Sequence, residues 1–342
     1  MPDSIIKAPV VMPANFVGVC TKSLVAAPGA VKHGLVRSWD YQGSRGLTTT
    51  RAVVCRINPS AGAWDWQTFD ELLSNNTDKQ IIITLGQPGD YLVTPAAIGG
   101  AYNGGKANMC PTDLSTWATV VQAVVSRANT NFGRTGLIWE LWNEIDQTAS
   151  YADTISLLGP YTKATAQAIR AIDPSAVIVG ASLAGNDSTK LQKAVSYITA
   201  SDGAGGTSAT WLDGISTHYY NQVAAQISQN ENPINYANAF KNFQGAMADA
   251  GCNLPIYITE TGVISADAQG WRAYQRRLLT FAALGARNCL CYQYDNAGYP
   301  MSSYVTQFND VANKLKAGAV ISSCVLGMAQ MQITIDGVTY TY

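Results

Sequence analysis

The sequence is poor in charge. Asp, Glu, Lys and Arg make up 13% of its 342 residues, against roughly 25% in an average soluble domain. Lys and Arg number 22 and Asp and Glu 23, for a formal net charge of -1. That balance provides no basic face to neutralise phosphates, which excludes a nucleic-acid partner. It is equally unlike a disordered chain, which needs high net charge or few apolar residues. Histidine is nearly absent. His33 and His218 are the only two, so zinc sites built from several histidines are excluded. No stretch approaches the roughly 18 consecutive apolar residues of a membrane span. Met1 to Phe16 lacks the basic start and apolar core of a signal peptide. The seven cysteines are an odd number at irregular spacings, and the expectation is buried, reduced thiols. Cys289 and Cys291 fall in one apolar run, where alternation sends them to opposite faces of a strand.

What is present is an apolar content of 47%, distributed in a regular way. Short β-branched runs lie at Phe16–Cys20, Gly34–Trp39, Ala52–Ile57, Ile81–Leu85, Leu137–Trp142, Ala176–Ala181, Leu212–Tyr219, Pro255–Glu260 and Asn288–Tyr294. Helical stripes separate many of them: Trp117 to Asn131 behind a Thr112-Asp113 cap, Tyr161 to Ile172, Tyr236 to Ala250, and Gly270 to Leu284. Strand and helix in alternation imply a parallel sheet. The size suits an α/β fold of the (β/α)8 TIM barrel type. Eight strands are needed, so Ala52–Ile57, with no helix-length segment between it and Trp39, is assigned to a loop. A doubly wound sheet would want a Gly-rich turn after its first strand, and Cys20-Thr21-Lys22 is not one. After Gly318, Met331–Ile335, Asp336-Gly337 and Val338–Tyr342 read as a β-hairpin. The expected organisation is a barrel over 1–317 and a hairpin appendage over 318–342.

Two segments carry chemistry. Trp139-Glu140-Leu141-Trp142-Asn143-Glu144 begins as a strand and ends in Asn-Glu. Carboxylates and tryptophans so close together are costly to bury without a purpose. Pro255-Ile256-Tyr257-Ile258-Thr259-Glu260 delivers a second carboxylate at a strand tip. Strand tips open into the active site of a parallel barrel. Two carboxylates there can act as acid and nucleophile in glycoside hydrolysis, one protonated and one ionised.

Several further segments appear in matching order. They are Gly34 to Asp40, Trp64-Asp65-Trp66 with Phe69, Asp70 and Leu72, Ile83 to Gly86, Ser216 to Tyr220, Ile258 to Gly262, and Tyr292 to Asn296. Together with Trp139 to Glu144, this set resembles the retaining glycoside hydrolases of clan A. It most resembles glycoside hydrolase family 39 and its polysaccharide-degrading relatives, from about Phe16 to Lys316. The resemblance implies Glu144 as general acid/base and Glu260 as the nucleophile. It implies Asn143 on the sugar 2-hydroxyl, Tyr220 as donor to Glu260, His218 lining the site, and Arg37 beneath the carboxylates. Arg37 has a second possible partner in Glu140, which alternation places inside the same barrel as Trp142. Trp39 and Tyr294 would contact sugar, and Tyr91, Tyr102, Tyr220 and Tyr299 are further stacking candidates. The chain departs from its relatives in having Tyr294 where they usually place Trp. Its third-strand loop, Gly86 to Tyr91, has no Trp, and the hairpin stands where many have a β-sandwich.

The implied activity is retaining cleavage of β-glycosidic bonds, endo-acting on an exopolysaccharide or capsule. The expected setting is extracellular, secreted or borne on a phage particle. No metal or organic cofactor is implied, and the partner is an oligosaccharide or polysaccharide. Two other classes compete: a catalytically inactive carbohydrate-binding barrel, and a serine hydrolase using Ser182 of Gly180-Ala181-Ser182 with His218. Gly100 to Lys106 imitates a phosphate loop, but Ala107 stands where Ser or Thr is required. Arg272, Arg276 and Arg277 share a helical stretch and are expected on a solvated or ion-paired face.

Overall fold

The computed structural model describes residues 3–6, 8–20, 32–38, 57–93, 108–185, 187–220, 232–262, 268–292, 305–327 and 330–342. Trp39, Tyr102, Tyr294, Tyr299, the Gly100–Lys106 loop and all but the end of the Ala52–Ile57 run lie outside them. Two short strands, β1 (Asp3–Ser4) and β2 (Val10–Val11), come first. The barrel strands follow: β3 (Val17–Cys20), β4 (Leu35–Ser38), β5 (Gln80–Thr84), β6 (Ile138–Glu140), β7 (Val177–Val179), β8 (Ile215–Tyr220), β9 (Ile256–Gly262) and β10 (Asn288–Tyr292). Each falls inside or overlaps an apolar run of the sequence. The helices are α1 (Gln67–Asn75), α2 (Leu114–Phe132), α3 (Leu158–Ile172), α4 (Ser188–Ile198), α5 (Pro233–Asp249), α6 (Ala268–Ala283) and α7 (Val305–Lys314). Asp113 caps α2 by accepting from the Ser115 and Thr116 N–H groups, and Asn232 caps α5 ahead of a proline in its first turn.

The eight strands run in the order β7-β6-β5-β4-β3-β10-β9-β8, with every named pairing parallel. A parallel bridge between Val179 and Gly214 joins β7 to the start of β8 and closes the ring. This is a (β/α)8 barrel. Strand alternation divides its residues into two sets. Cys20, Leu35, Ile82, Ile138, Val179, Tyr257 and Leu290 meet inside the ring as a small apolar cluster. The residues between them, such as Val36, Ile81, Ile83, Trp139, Ile178, Ile258 and Cys289, join the larger core against the helices. The inner cluster fills the barrel below the site and leaves its upper layer to polar side chains. Cys20, Cys110, Cys252, Cys289 and Cys324 are buried thiols.

The C-terminal hairpin, β12 (Met331–Ile335) and β13 (Val338–Thr341), is part of a larger sheet. Its neighbour β11 (Val320–Leu326) also pairs antiparallel with β1 and β2, so both ends of the chain build one five-stranded sheet. The alternation of β12 turns Met331, Ile333 and Ile335 inward.

Candidate active site

Arg37 on β4 points into the barrel and is fully buried among acidic side chains. Its Nε donates to Glu140 Oε2 at 2.8 Å, and one terminal nitrogen donates to the same oxygen and to Asn143 Oδ1 at 2.7 Å. The other terminal nitrogen pairs with Glu260 Oε1. Glu140 is also bonded by Thr84 Oγ1 at 2.8 Å and Thr259 Oγ1 at 2.7 Å. A buried charge is tolerable when its lone pairs are met in this way. Both alternatives for Arg37 are therefore realised: it neutralises Glu140 and reaches Glu260. Burial would lower its proton affinity, but the two carboxylates more than reverse this and hold the guanidinium firmly charged.

Glu144 lies on irregular backbone beyond β6. The expected strand alternation stops after Glu140. Trp142 has φ 85° and Glu144 φ 47°, left-handed values that cost energy in residues with side chains. The surrounding packing fixes them. Trp142 leaves the barrel interior and stands edge-on to Tyr151 and Tyr161, with its Nε1 donating to the Ser150 carbonyl at 2.9 Å. Gly86 makes room for it, since a Cβ there would lie 2.9 Å from the Trp142 Cα. The Glu144 N–H donates to Ser182 Oγ at 3.0 Å. Ser182 thus supports the loop that carries Glu144.

Glu260 lies near the end of β9, its side chain 5% exposed against 13% for Glu144. The Tyr220 hydroxyl donates to Glu260 Oε2. His218 on β8 stands between the two carboxylates, Nδ1 3.0 Å from Glu144 Oε1 and 3.6 Å from Glu260 Oε2. One donor atom from each of Glu144, His218 and Glu260 falls within 4.8 Å of the others. Such a group has the right donor types for a cation, but the Arg37 charge bonded to Glu260 opposes one there.

The structure therefore brings Arg37, Asn143, Glu144, His218, Tyr220 and Glu260 together. Tyr91 is partly exposed, and its hydroxyl donates to Asn58. Burial pushes Glu144 up, but the hydrogen bond and charge of His218, with Arg37 and Lys190, outweigh it and hold the carboxyl below its ordinary 4.5. Burial pushes His218 down, and Glu260 and Glu144 together lift it above its ordinary 6.5. Both shifts favour a charged pair, imidazolium beside carboxylate. Thr84 and Thr259, which complete the Glu140 cage, were not among the expected site residues. Their signal was register: Thr84 lies opposite Glu140 on the next strand, so two polar side chains share one inward layer.

Arg277 corrects the expectation for the basic cluster. Arg272 is exposed, but Arg277 is fully buried. Its guanidinium carbon lies 5.4 Å from the Tyr219 ring centroid and 5.0 Å from that of Tyr236. The apolar stem and flat, weakly hydrated head of Arg make such a position possible.

Among solved structures, the fold is similar to a GH39 β-xylosidase from Caulobacter crescentus, at 14% identity and a TM-score of 0.61, covering 96% of this chain and 78% of that one. It is similar to a GH30 endoxylanase from Clostridium papyrosolvens at 11% and 0.60, covering 96% and 82%. A Pseudomonas stutzeri endoglucanase matches at 13% and 0.53, covering 90% and 98%. Identities this low speak for the fold alone. No curated protein matches the sequence significantly. The family model for Cellulase (glycosyl hydrolase family 5) matches residues 107–298, more than half of the chain and the stretch that carries both Glu144 and Glu260; the chain belongs to that family and is a retaining glycoside hydrolase of clan A.

Proposed function

We propose that the enzyme cleaves β-glycosidic bonds within a polysaccharide by double displacement, with Glu260 as nucleophile and Glu144 as general acid and base. The approach of the two carboxylates carries this reading. An oxygen of each lies within 4.8 Å of the other, in keeping with the roughly 5–5.5 Å between carboxyls in retaining enzymes and well short of the 6.5–9.5 Å of inverting ones. Their surroundings divide the roles. Glu260 receives hydrogen bonds from Arg37 and Tyr220, one on each carboxylate oxygen, which fix its position. Glu144 is the more accessible, and its partner His218 is a titratable imidazole.

In the first step Glu260 Oε attacks the anomeric carbon and the bond to the leaving oxygen breaks. Glu144 gives that oxygen a proton, which it draws from His218 Nδ1 across 3.0 Å. The attack removes the negative charge on Glu260 that had helped to keep His218 protonated. Imidazole and carboxylate are then ready to take a proton from water, whose oxygen attacks the anomeric carbon and releases Glu260. Asn143 Oδ1 accepts from Arg37, which turns the amide N–H groups toward a sugar 2-hydroxyl. Endo action on an exopolysaccharide or capsule outside the cell is part of the proposal. The neutral, Tyr-rich composition suits uncharged or weakly charged glycans.

Proton NMR of the first-formed product on a panel of purified polysaccharides tests this. The expected result is new reducing ends with the β configuration, and a β-substrate releasing α product would overturn it. Glu260→Ala with azide is expected to give the α-glycosyl azide. If wild type binds glycans but releases no reducing ends from any, and Glu144→Gln and Glu260→Gln bind equally well, the inactive binding barrel replaces this reading.

A further inference from the structure

Strand β9 does not keep the period of two that its neighbours keep. Against β8, Thr217 faces Ile258 but His218 faces Glu260; against β10, Cys289 faces Ile258 but Cys291 faces Thr261. One extra residue is thus inserted at Thr259–Glu260 relative to both neighbours, a β-bulge inside a barrel strand. Its effect on side chains is direct. Tyr257 points inward with the inner apolar cluster, and Ile258 points outward with the main core. Thr259 points inward to Glu140. Strict alternation would turn Glu260 outward into the helix layer. Instead Glu260 also points inward, to Arg37 and Tyr220, and Thr261 takes the outward position.

The outward side of this bulge is held by Arg277 on α6. One terminal nitrogen of Arg277 donates to Thr261 Oγ1 at 2.9 Å, to the Gly262 carbonyl at 2.6 Å and to the Tyr219 carbonyl at 3.4 Å. Thr261 Oγ1 donates in turn to the Tyr219 carbonyl at 2.7 Å. Tyr219 precedes Tyr220 and Thr261 follows Glu260, so one guanidinium nitrogen grips the residues next to both members of the Tyr220–Glu260 hydrogen bond. The grip is tight: a Cβ on Gly262 would lie 2.9 Å from Tyr220 Cε1 and 2.7 Å from the Tyr292 carbonyl. Tyr219 and Tyr236 hold the guanidinium by its faces.

We infer that Arg277 is a positioning residue for the nucleophile. It locks the Thr259–Glu260 bulge from behind the strand and so keeps Glu260 aimed at the anomeric carbon. The inference rests on Glu260 being the nucleophile. The test is the pre-steady-state burst of dinitrophenolate release from a dinitrophenyl β-glycoside that the wild type turns over. Its rate constant reports attack by Glu260, and its amplitude reports the fraction of competent enzyme.

Arg277→Gln is expected to lower the burst rate constant about 10²-fold, with the substrate dissociation constant, read from the concentration dependence of that rate, unchanged. Arg277→Lys, which keeps a donor for the Gly262 carbonyl, is expected to recover part of the loss. Thr261→Val, which removes the hydroxyl and leaves the shape, is expected to slow the burst about fivefold. Arg272→Gln on the exposed side of the helix is expected to match wild type. A merely structural role would lower the amplitude and leave the rate constant alone, and that result overturns the inference. Wild-type burst rates in Thr261→Val and Arg277→Gln do so as well; if Arg277→Gln does not fold, Thr261→Val decides alone. Undiminished turnover in Glu260→Gln would overturn the nucleophile assignment instead, which separates the two failures.

Discussion

Glu144 and Glu260 come from strands three places apart in one ring, with His218 between them. Glu144 stands beyond the end of its strand, on backbone forced into left-handed φ at Trp142 and again at Glu144 itself. Packing on the helix side holds it there: the edge-on rings of Tyr151 and Tyr161, the Ser182 hydroxyl, and the gap left by Gly86. Glu260 stays within a hydrogen-bonded strand and is redirected by one inserted residue. Its partners are ionic and phenolic groups inside the barrel. The two residues therefore draw precision from different sources. The carboxyl proposed as general acid and base is the more exposed and sits against a titratable imidazole. The proposed nucleophile sits deeper, against an arginine that is charged at every working pH.

The largest expected effect comes from removing each carboxylate in turn. Glu260→Gln should reduce kcat by about 10⁴-fold or more on every substrate, because the proposed nucleophile would have no substitute. Glu144→Gln should cost about 10²–10⁴-fold on substrates with poor leaving groups. It should cost far less at the first step with dinitrophenyl glycosides, which leave without a proton. Equal leaving-group dependence in the two variants would erase the distinction.

A smaller effect concerns pH. The folded pKa of His218 is raised, so its contribution to stability is full below about 6.5 and is lost as pH rises through the raised value. That of Glu144 is lowered, so its contribution is present above about 4.5 and is lost as pH falls through the lowered value. The pair should stabilise the fold most between these limits, and the two groups titrate jointly. His218→Asn should flatten this part of a urea-midpoint profile against pH. It should also move the alkaline limb of kcat/KM to lower pH, since the proton would then leave Glu144 alone. An unmoved limb would mean that the imidazole holds no catalytic proton.

The smallest effect is on the strained loop. Gly86→Ala should cost about 1–3 kcal/mol in chemical denaturation, because the methyl group meets the Trp142 Cα. It should slow the first step more on substrates with poor leaving groups, which need the Glu144 proton, than on dinitrophenyl glycosides. An equal effect on both substrates would mean that the two sides are mechanically linked.

The barrel was legible because its eight strands fall in short apolar runs, many of them set apart by helical stripes. The place of Glu260 near a strand end followed from the same reading, whereas Glu144 lies beyond its strand on irregular backbone. Three features were hidden, each for a physical reason. Strands β1 and β2 have two residues each, too few for any period to register. The bulge at Thr259–Glu260 breaks the alternation that sequence reading depends on, and nothing in Ile258-Thr259-Glu260-Thr261 marks where the extra residue lies. Arg277 was expected on a solvated or ion-paired face because cations at helical spacing usually mark an outer surface. Its burial depends on Tyr219 and Tyr236, which come from a different strand and a different helix. The motifs resembled clan A and, within it, family 39; the family model is that of glycosyl hydrolase family 5, and a family 39 enzyme is among the solved structures that share the fold.

The small sheet at the chain ends bears on how the molecule is made. Asp3 pairs with Leu326 and Val10 with Ile321, contacts that span nearly the whole chain. During synthesis β1 and β2 emerge well before their partner β11. The barrel strands can assemble in order as they appear, but this sheet waits for β11, which follows all of them. Contacts of such separation carry the largest loop-closure cost and form late. Strands β1 and β2, made before the barrel strands, thus find their place after them. Until then β11 presents an open strand edge, the form of the protein most exposed to mispairing with a second chain.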